Sequence, residues 1–209
     1  MRVGRLRGAA AVVLGSTQDR SVVDAAAAAA AGVDVVRRPT GGGAVLVAPD
    51  AQVWLDLWIP RGDALWRDDI VAGALWLGRA WAEALTSLGA PALEVRGARA
   101  TRDPSSDLVC FAGRGPGEVL LTEPAGGGAK VVGIAQRRTR MGARLHTTAP
   151  LRWEPAPLLG LLRPERRSSL PPLDDVAAGL RDVVAPSRGA LPDGELLTLV
   201  EDAFMSVLP

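Results

Sequence analysis

The sequence predicts an α+β fold in which a mixed, largely antiparallel sheet is flanked by helices. Three observations point there. Residues 52–59 alternate, with Val53, Leu55, Leu57 and Ile59 on one face and Trp54, Asp56 and Trp58 on the other, the two-residue period of a strand. Residues 68–88 repeat at steps of three and four through Ile70, Ala74, Leu77, Trp81, Leu85 and Leu88, the period of a helix with one buried face. The stretch 93–151 breaks into short apolar segments of strand length.

Taken in order, residues 11–14 read as a short buried strand ending at Gly15. The alanine run over 24–31 has high helix propensity, with Asp24 at its positive end and Gly32 as its stop. Residues 34–37 form a strand leading into a glycine turn, and 44–48 form the next strand. Gly89 and Pro91 end the helix of 68–88. Strands are then expected at 93–95, 107–111, 118–121, 129–136 and 144–148. From Pro155 onward prolines separate helical pieces, and the last, 195–208, places Leu196, Leu199, Val200, Phe204 and Val207 on one face. The expected organisation is a sheet-containing domain over 1–152 and a helical extension, 153–209, packed on that domain.

Composition narrows the function classes. A single cysteine, Cys110, excludes an internal disulfide, and with one histidine, His146, a Cys/His zinc site is ruled out, so no metal is expected there. The net charge of +1 argues against a nucleic-acid binder held by electrostatics. No apolar run reaches the length of a membrane-spanning helix. Arg2, Arg5 and Arg7 ahead of an apolar stretch look like the front of a signal peptide, but Gly15-Ser16-Thr17-Gln18 cuts that stretch short. A soluble, cytoplasmic monomer that binds neither nucleic acid nor membrane is expected.

Lys130 is the only lysine; the other 23 of the 24 basic residues are arginine. A lysine that persists in so arginine-rich a chain suggests a task for a compact ammonium that a planar guanidinium cannot perform. The plain alternative is one lysine surviving on a loop. A second signal is Arg37-Arg38-Pro39-Thr40-Gly41-Gly42-Gly43-Ala44-Val45, in which two cations and three glycines join two strands. Glycines let a loop wrap a ligand and turn its N–H groups inward, and an adjacent Arg can fork onto an anion. A hairpin turn is the commoner use of such glycines, and the segment matches neither a Walker loop nor a dinucleotide-binding fingerprint.

Together with Lys130-Val131-Val132-Gly133-Ile134-Ala135-Gln136-Arg137 downstream, this segment resembles the paired signatures of the lipoate–protein ligase and octanoyltransferase family, whose catalytic fold is that of the biotin ligases. Leu14-Gly15 followed by Gln18 resembles the family's opening, and the resemblance covers residues 11–152 in order. It implies that Arg38, Gly41, Gly42, Gly43, Ala44, Val45 and Leu46 line the adenylate and acyl pocket. Lys130 would reach the acyl carbonyl, with Gly133, Ile134 and Ala135 on the strand behind it. His146-Thr147 stands where the ligases show a His-Gly-Thr-like sequence, but without the glycine.

Cys110-Phe111 before the lysine strand looks most like the cysteine-dependent octanoyltransferase branch, in which the thiol carries the acyl group as a thioester. An ordinary thiol is mostly protonated at neutral pH. An ammonium about 4 Å away, at an effective dielectric of about 20, favours a thiolate by up to about 4 kcal/mol before desolvation subtracts from it. Without the family, a lone cysteine in a Val-Cys-Phe run is more often a small packing residue. The resemblance therefore implies an acyltransferase of protein lipoylation needing no cofactor. Its donor would be an acyl carrier protein, and its acceptor a lysine of a lipoyl-type carrier domain. Two alternatives stay open: an ATP- and Mg-dependent ligase acting through acyl-AMP, and a catalytically silent paralogue that binds the acyl group or the carrier domain.

Overall fold

The structure is a computed structural model that describes the backbone of 2–5 and, with side chains, residues 9–100, 104–122, 128–184 and 191–209. Arg7 and the glycines Gly126 and Gly127 ahead of Lys130 lie outside the described residues. The fold is α+β, as the alternating and helical periods require. Six strands form an antiparallel sheet in the order β1 (Arg2–Arg5), β5 (Gln52–Pro60), β9 (Gly142–Pro150), β8 (Lys130–Thr139), β7 (Val119–Leu121) and β6 (Leu93–Val95). A smaller sheet runs β3 (Asp34–Arg37), β2 (Ala11–Leu14), β4 (Val45–Val47), with β2 parallel to β3 and antiparallel to β4.

The alternation along β5 sorts its side chains between two cores. Val53, Leu55, Leu57 and Ile59 pack on α2 (Ile70–Ser87) through Ala74, Leu77, Trp81 and Leu85. Ile70, expected on that buried face, is 44% exposed at the first position of the helix. The last helix, Asp193–Ser206, covers the same core with Leu196, Val200 and Phe204, and Phe204 stacks on Trp81 at 4.3 Å. On the opposite face of β5, Trp54 joins Val13, Val45 and Val47 of the small sheet. The gap between the two sheets is where the candidate site lies.

The smaller helices are α1 (Ala25–Ala30), capped by Asp24 as read, then α3 (Pro104–Leu108), α4 (Pro155–Gly160), α5 (Pro164–Arg167) and α6 (Leu180–Val183); the last helix is therefore α7. At its start Asp193 is forked by Arg152 and hydrogen-bonded by Arg181, which hold its carboxyl down at about 2.

One expected strand is absent. Residues 107–111 are the end of α3 followed by a 3-10 turn, Cys110–Ala112. Pro104 presets the dihedral of a first helical turn, and Val109 donates back to the Ser105 carbonyl at 2.8 Å. Gly113 lets the turn fold onto Ser106, whose Cβ lies 2.4 Å from where a side chain would begin. The apolar run Leu108–Phe111 is too short for its period to separate strand from helix.

Candidate active site

Backbone contacts bring the glycine loop and Cys110 together. A Cβ on Gly43 would sit 2.6 Å from the Val109 carbonyl carbon and 2.7 Å from the Cys110 nitrogen, and one on Gly15 would sit 1.8 Å from the Gly42 carbonyl oxygen. Gly42 has φ of 94°, in the left-handed region that glycine tolerates. Ala44 donates to the Leu108 carbonyl at 2.9 Å, and Cys110 N–H donates to the Ala44 carbonyl at 3.0 Å. Gln18 latches the assembly: its side-chain oxygen accepts from Gly15 N–H, while its amide donates to the Asp107 and Leu108 carbonyls. The nucleophile candidate thus sits on a turn fixed by a loop that has no room for a side chain at Gly43.

Arg38, 4% exposed, threads this loop. It donates to the Val13 carbonyl at 3.0 Å, to Thr40 Oγ1 at 3.1 Å, and to the Gly41 and Gly43 carbonyls at 2.8 Å each. Its Nη2 also stands 3.8 Å from Cys110 Sγ. No carboxylate is among its partners in the described residues, so a buried positive charge faces the sulfur.

Lys130 is fully buried at the start of β8. Its ammonium donates to the Cys110 carbonyl at 3.0 Å and to Glu118 Oε1 at 2.9 Å, and it lies 5.2 Å from the Phe111 ring centre. Glu118 is itself 3% exposed and is satisfied by Gly115 N–H at 2.6 Å on its other oxygen. Burial pushes the Glu118 carboxyl above its ordinary value, against the pull of Lys130. Gly133 leaves space for the Phe111 ring, 3.4 Å from where its Cβ would be, Ile134 points its N–H at Glu118, and Ala135 pairs with His146 across the β8–β9 ladder.

Two cavities lie near the Cys110 turn, one lined by its neighbours Val109 and Phe111 and the other by Arg38. The smaller, about 390 Å³, is largely apolar and is lined by Ala44, Val45, Leu46, Val109, Phe111 and Trp153, among others. The larger, about 790 Å³, reaches from Arg38 past Trp54 to His146, Asp56 and α7. His146 is 9% exposed, and burial with the nearby Arg38 and Arg144 charges lowers it to about 4, against the opposing pull of Asp56.

Residues 6–185 match the family model described as the lipoyl protein ligase A/B catalytic domain. The chain belongs to this family. It is thereby an enzyme that transfers or ligates lipoyl-type acyl groups. No curated protein matches the sequence. Among solved structures, a lipoate-protein ligase A bound with ATP is similar at 17% identity and a TM-score of 0.67, covering 98% of this chain and 71% of that one. A bi-partite lipoate protein ligase with its E2 lipoyl domain from Thermoplasma acidophilum is similar at 17% identity and 0.65, covering 98% and 70%. LipL1 of P. falciparum in complex with lipoate is similar at 14% and 0.64, covering 98% and 49%. These likenesses show the fold. Among the described residues of this lipoyl protein ligase A/B family member, no helix is long and apolar enough to cross a membrane.

In this family member Arg38, Gly41, Gly42, Gly43 and Ala44 surround the Cys110 turn, Lys130 meets its carbonyl, Val45 and Leu46 line the smaller cavity, Gly133 and Ile134 meet Phe111 and Glu118, and Ala135 pairs with His146. The sequence reading missed Glu118 as the partner of Lys130, and Asp56 beside His146. Glu118 carried one legible signal: a lone acid flanked by Gly117 and the apolar Val119-Leu120-Leu121, where a buried strand begins.

Proposed function

We propose that this protein is an acyltransferase of protein lipoylation that carries an octanoyl or lipoyl group as a thioester on Cys110. The observation that supports it is the buried Arg38 guanidinium beside the Cys110 sulfur, with no carboxylate among its partners in the described residues. A cation so placed stabilises negative charge on sulfur whenever sulfur is the attacking or the leaving group.

In the first half-reaction Cys110 Sγ attacks the carbonyl carbon of an acyl thioester on a carrier protein. The new C–S bond forms, the donor's C–S bond breaks, and the donor thiol leaves with the proton that Cys110 gave up. In the second, the amine of an acceptor lysine attacks the Cys110 thioester, a C–N bond forms, and the amine's proton returns to the departing sulfur. Lys130 has three N–H donors, and two are used by Cys110 and Glu118. The third serves the acyl carbonyl oxygen, where charge develops in both steps. The smaller cavity takes the acyl chain, since Ala44, Val45 and Leu46 line it beside the residues flanking Cys110. The acceptor is a lipoyl-type carrier domain, in keeping with the lipoyl domain paired with the Thermoplasma ligase. The donor is an acyl carrier protein. Residues 1–152 hold the reacting groups, and the extension 153–209 closes the larger cavity through Leu197 of α7.

A second reading, an ATP- and Mg-dependent ligase, draws on the ATP-bound lipoate-protein ligase A. The side chains that would hold the phosphate do not fit it well. Four of the five Arg38 N–H groups are taken by Thr40 and by the Val13, Gly41 and Gly43 carbonyls, and Glu118 sets a carboxylate against Lys130. Incubation with octanoyl-carrier protein separates the two: the transferase gains one octanoyl mass that hydroxylamine removes and Cys110→Ser abolishes. Pyrophosphate release from ATP and free lipoate, unchanged in Cys110→Ser, is the result that selects the ligase.

A further inference from the structure

The larger cavity holds polar groups that neither half-reaction above uses. Both ring nitrogens of His146 and the Asp56 Oδ1 atom are buried without a hydrogen-bond partner. Asp56 and His146 face each other across the β5–β9 ladder, with His146 Nε2 3.8 Å from Asp56 Oδ1 and Arg144 Nε 3.5 Å from the same oxygen. Leaving three buried polar atoms unsatisfied is costly unless something else meets them. The Trp54 ring stands edge-on to His146 at 5.8 Å and belongs to the apolar cluster on which Cys110 packs. Arg38, which touches the sulfur, lines the same cavity. The cavity therefore runs from the unsatisfied pair to Arg38, the residue in contact with the nucleophile. Asp34, Asp50 and Glu201 line it with Asp56, against the guanidiniums of Arg37 and Arg38.

We infer that this cavity receives the primary ammonium of the acceptor lysine, with the Asp56 carboxylate and the His146 imidazole as its two receiving groups and Trp54 as its wall. The inference rests on the transferase reading and names how its acceptor enters. Asp56 supplies the charge an ammonium seeks on leaving water, and a ring nitrogen of His146 supplies a lone pair. The low affinity of His146 for protons keeps it an acceptor at neutral pH instead of a second cation that would repel the ligand. An aromatic wall suits the same charge. With acyl chain and amine entering by different cavities, the two substrates approach Cys110 without crossing, and the ammonium gives up one proton to solvent before the neutral amine attacks the thioester.

The test uses the full chain with Cys110 already acylated and two nucleophiles: a short peptide carrying one lysine, cationic at neutral pH, and hydroxylamine, which is neutral there. Asp56→Asn and His146→Gln should each slow deacylation by the lysine peptide about tenfold or more while hydroxylamine stays within about twofold of the wild-type rate. The hydroxylamine arm also reports that each variant is folded and correctly acylated. Equal losses for both nucleophiles, or no loss for either, would overturn the inference. A wild-type protein that never acquires acyl-Cys110 would overturn the transferase reading and this one with it.

Discussion

Lys130 and Glu118 form an ion pair that water does not reach, and its consequences are strongest when one partner is removed. Glu118→Gln leaves a buried ammonium without its counter-charge, so a loss of about 3–5 kcal/mol is expected in urea unfolding. Replacing both residues with apolar ones should recover most of that loss, while transfer activity stays absent. Lys130 was legible because it is the sole lysine; the pairing of Glu118 with it was not, since the two lie twelve positions apart and only strand pairing brings them together. His146 gives a second residue-scale prediction. Its folded value of about 4 lies below the ordinary 6.5, so between these limits the unfolded chain binds a proton that the folded chain refuses. Stability is then full above about 6.5 and falls as pH drops toward about 4, and His146→Gln should flatten that part of the profile. Urea midpoints at neutral pH and at about pH 4.5 measure it.

At the scale of elements, strands and long helices were readable because their periods are set by which face is buried. The residues 52–59 alternate because each face of β5 meets a different core, and α2 repeats because only one of its faces meets the sheet. The Cys110 segment was misread as a strand because its conformation is fixed by a contact distant in sequence: the glycine loop pressing on Val109 and Cys110. Strand β1 went unread because four residues with two arginines show no apolar period. Gly43→Ala tests the contact directly. The added methyl must displace the Val109–Cys110 backbone, so Cys110 acylation should fall about tenfold or more while far-UV circular dichroism is preserved. A normal acylation rate in this variant would mean that the loop does not hold the nucleophile.

Across the whole molecule, the two sheets and the last helix divide the work. The large sheet with α2 and α7 forms the main core, and the small sheet lays the glycine loop over its other face. Phe204→Ala, removing the ring that stacks on Trp81, should cost about 3–5 kcal/mol and lower the cooperative unfolding midpoint. How the sheets face each other was not legible, because the pairing of β1 with β5 and of α7 with α2 joins segments far apart in the chain. The central claim is that Cys110 carries the acyl group between donor and acceptor. Rapid-quench mass spectrometry of a single turnover measures it: octanoyl-Cys110 should rise with donor consumption and decay at the rate at which the lysine product appears. Product forming at an undiminished rate in Cys110→Ser, or acyl-Cys110 that persists while product accumulates, would contradict it.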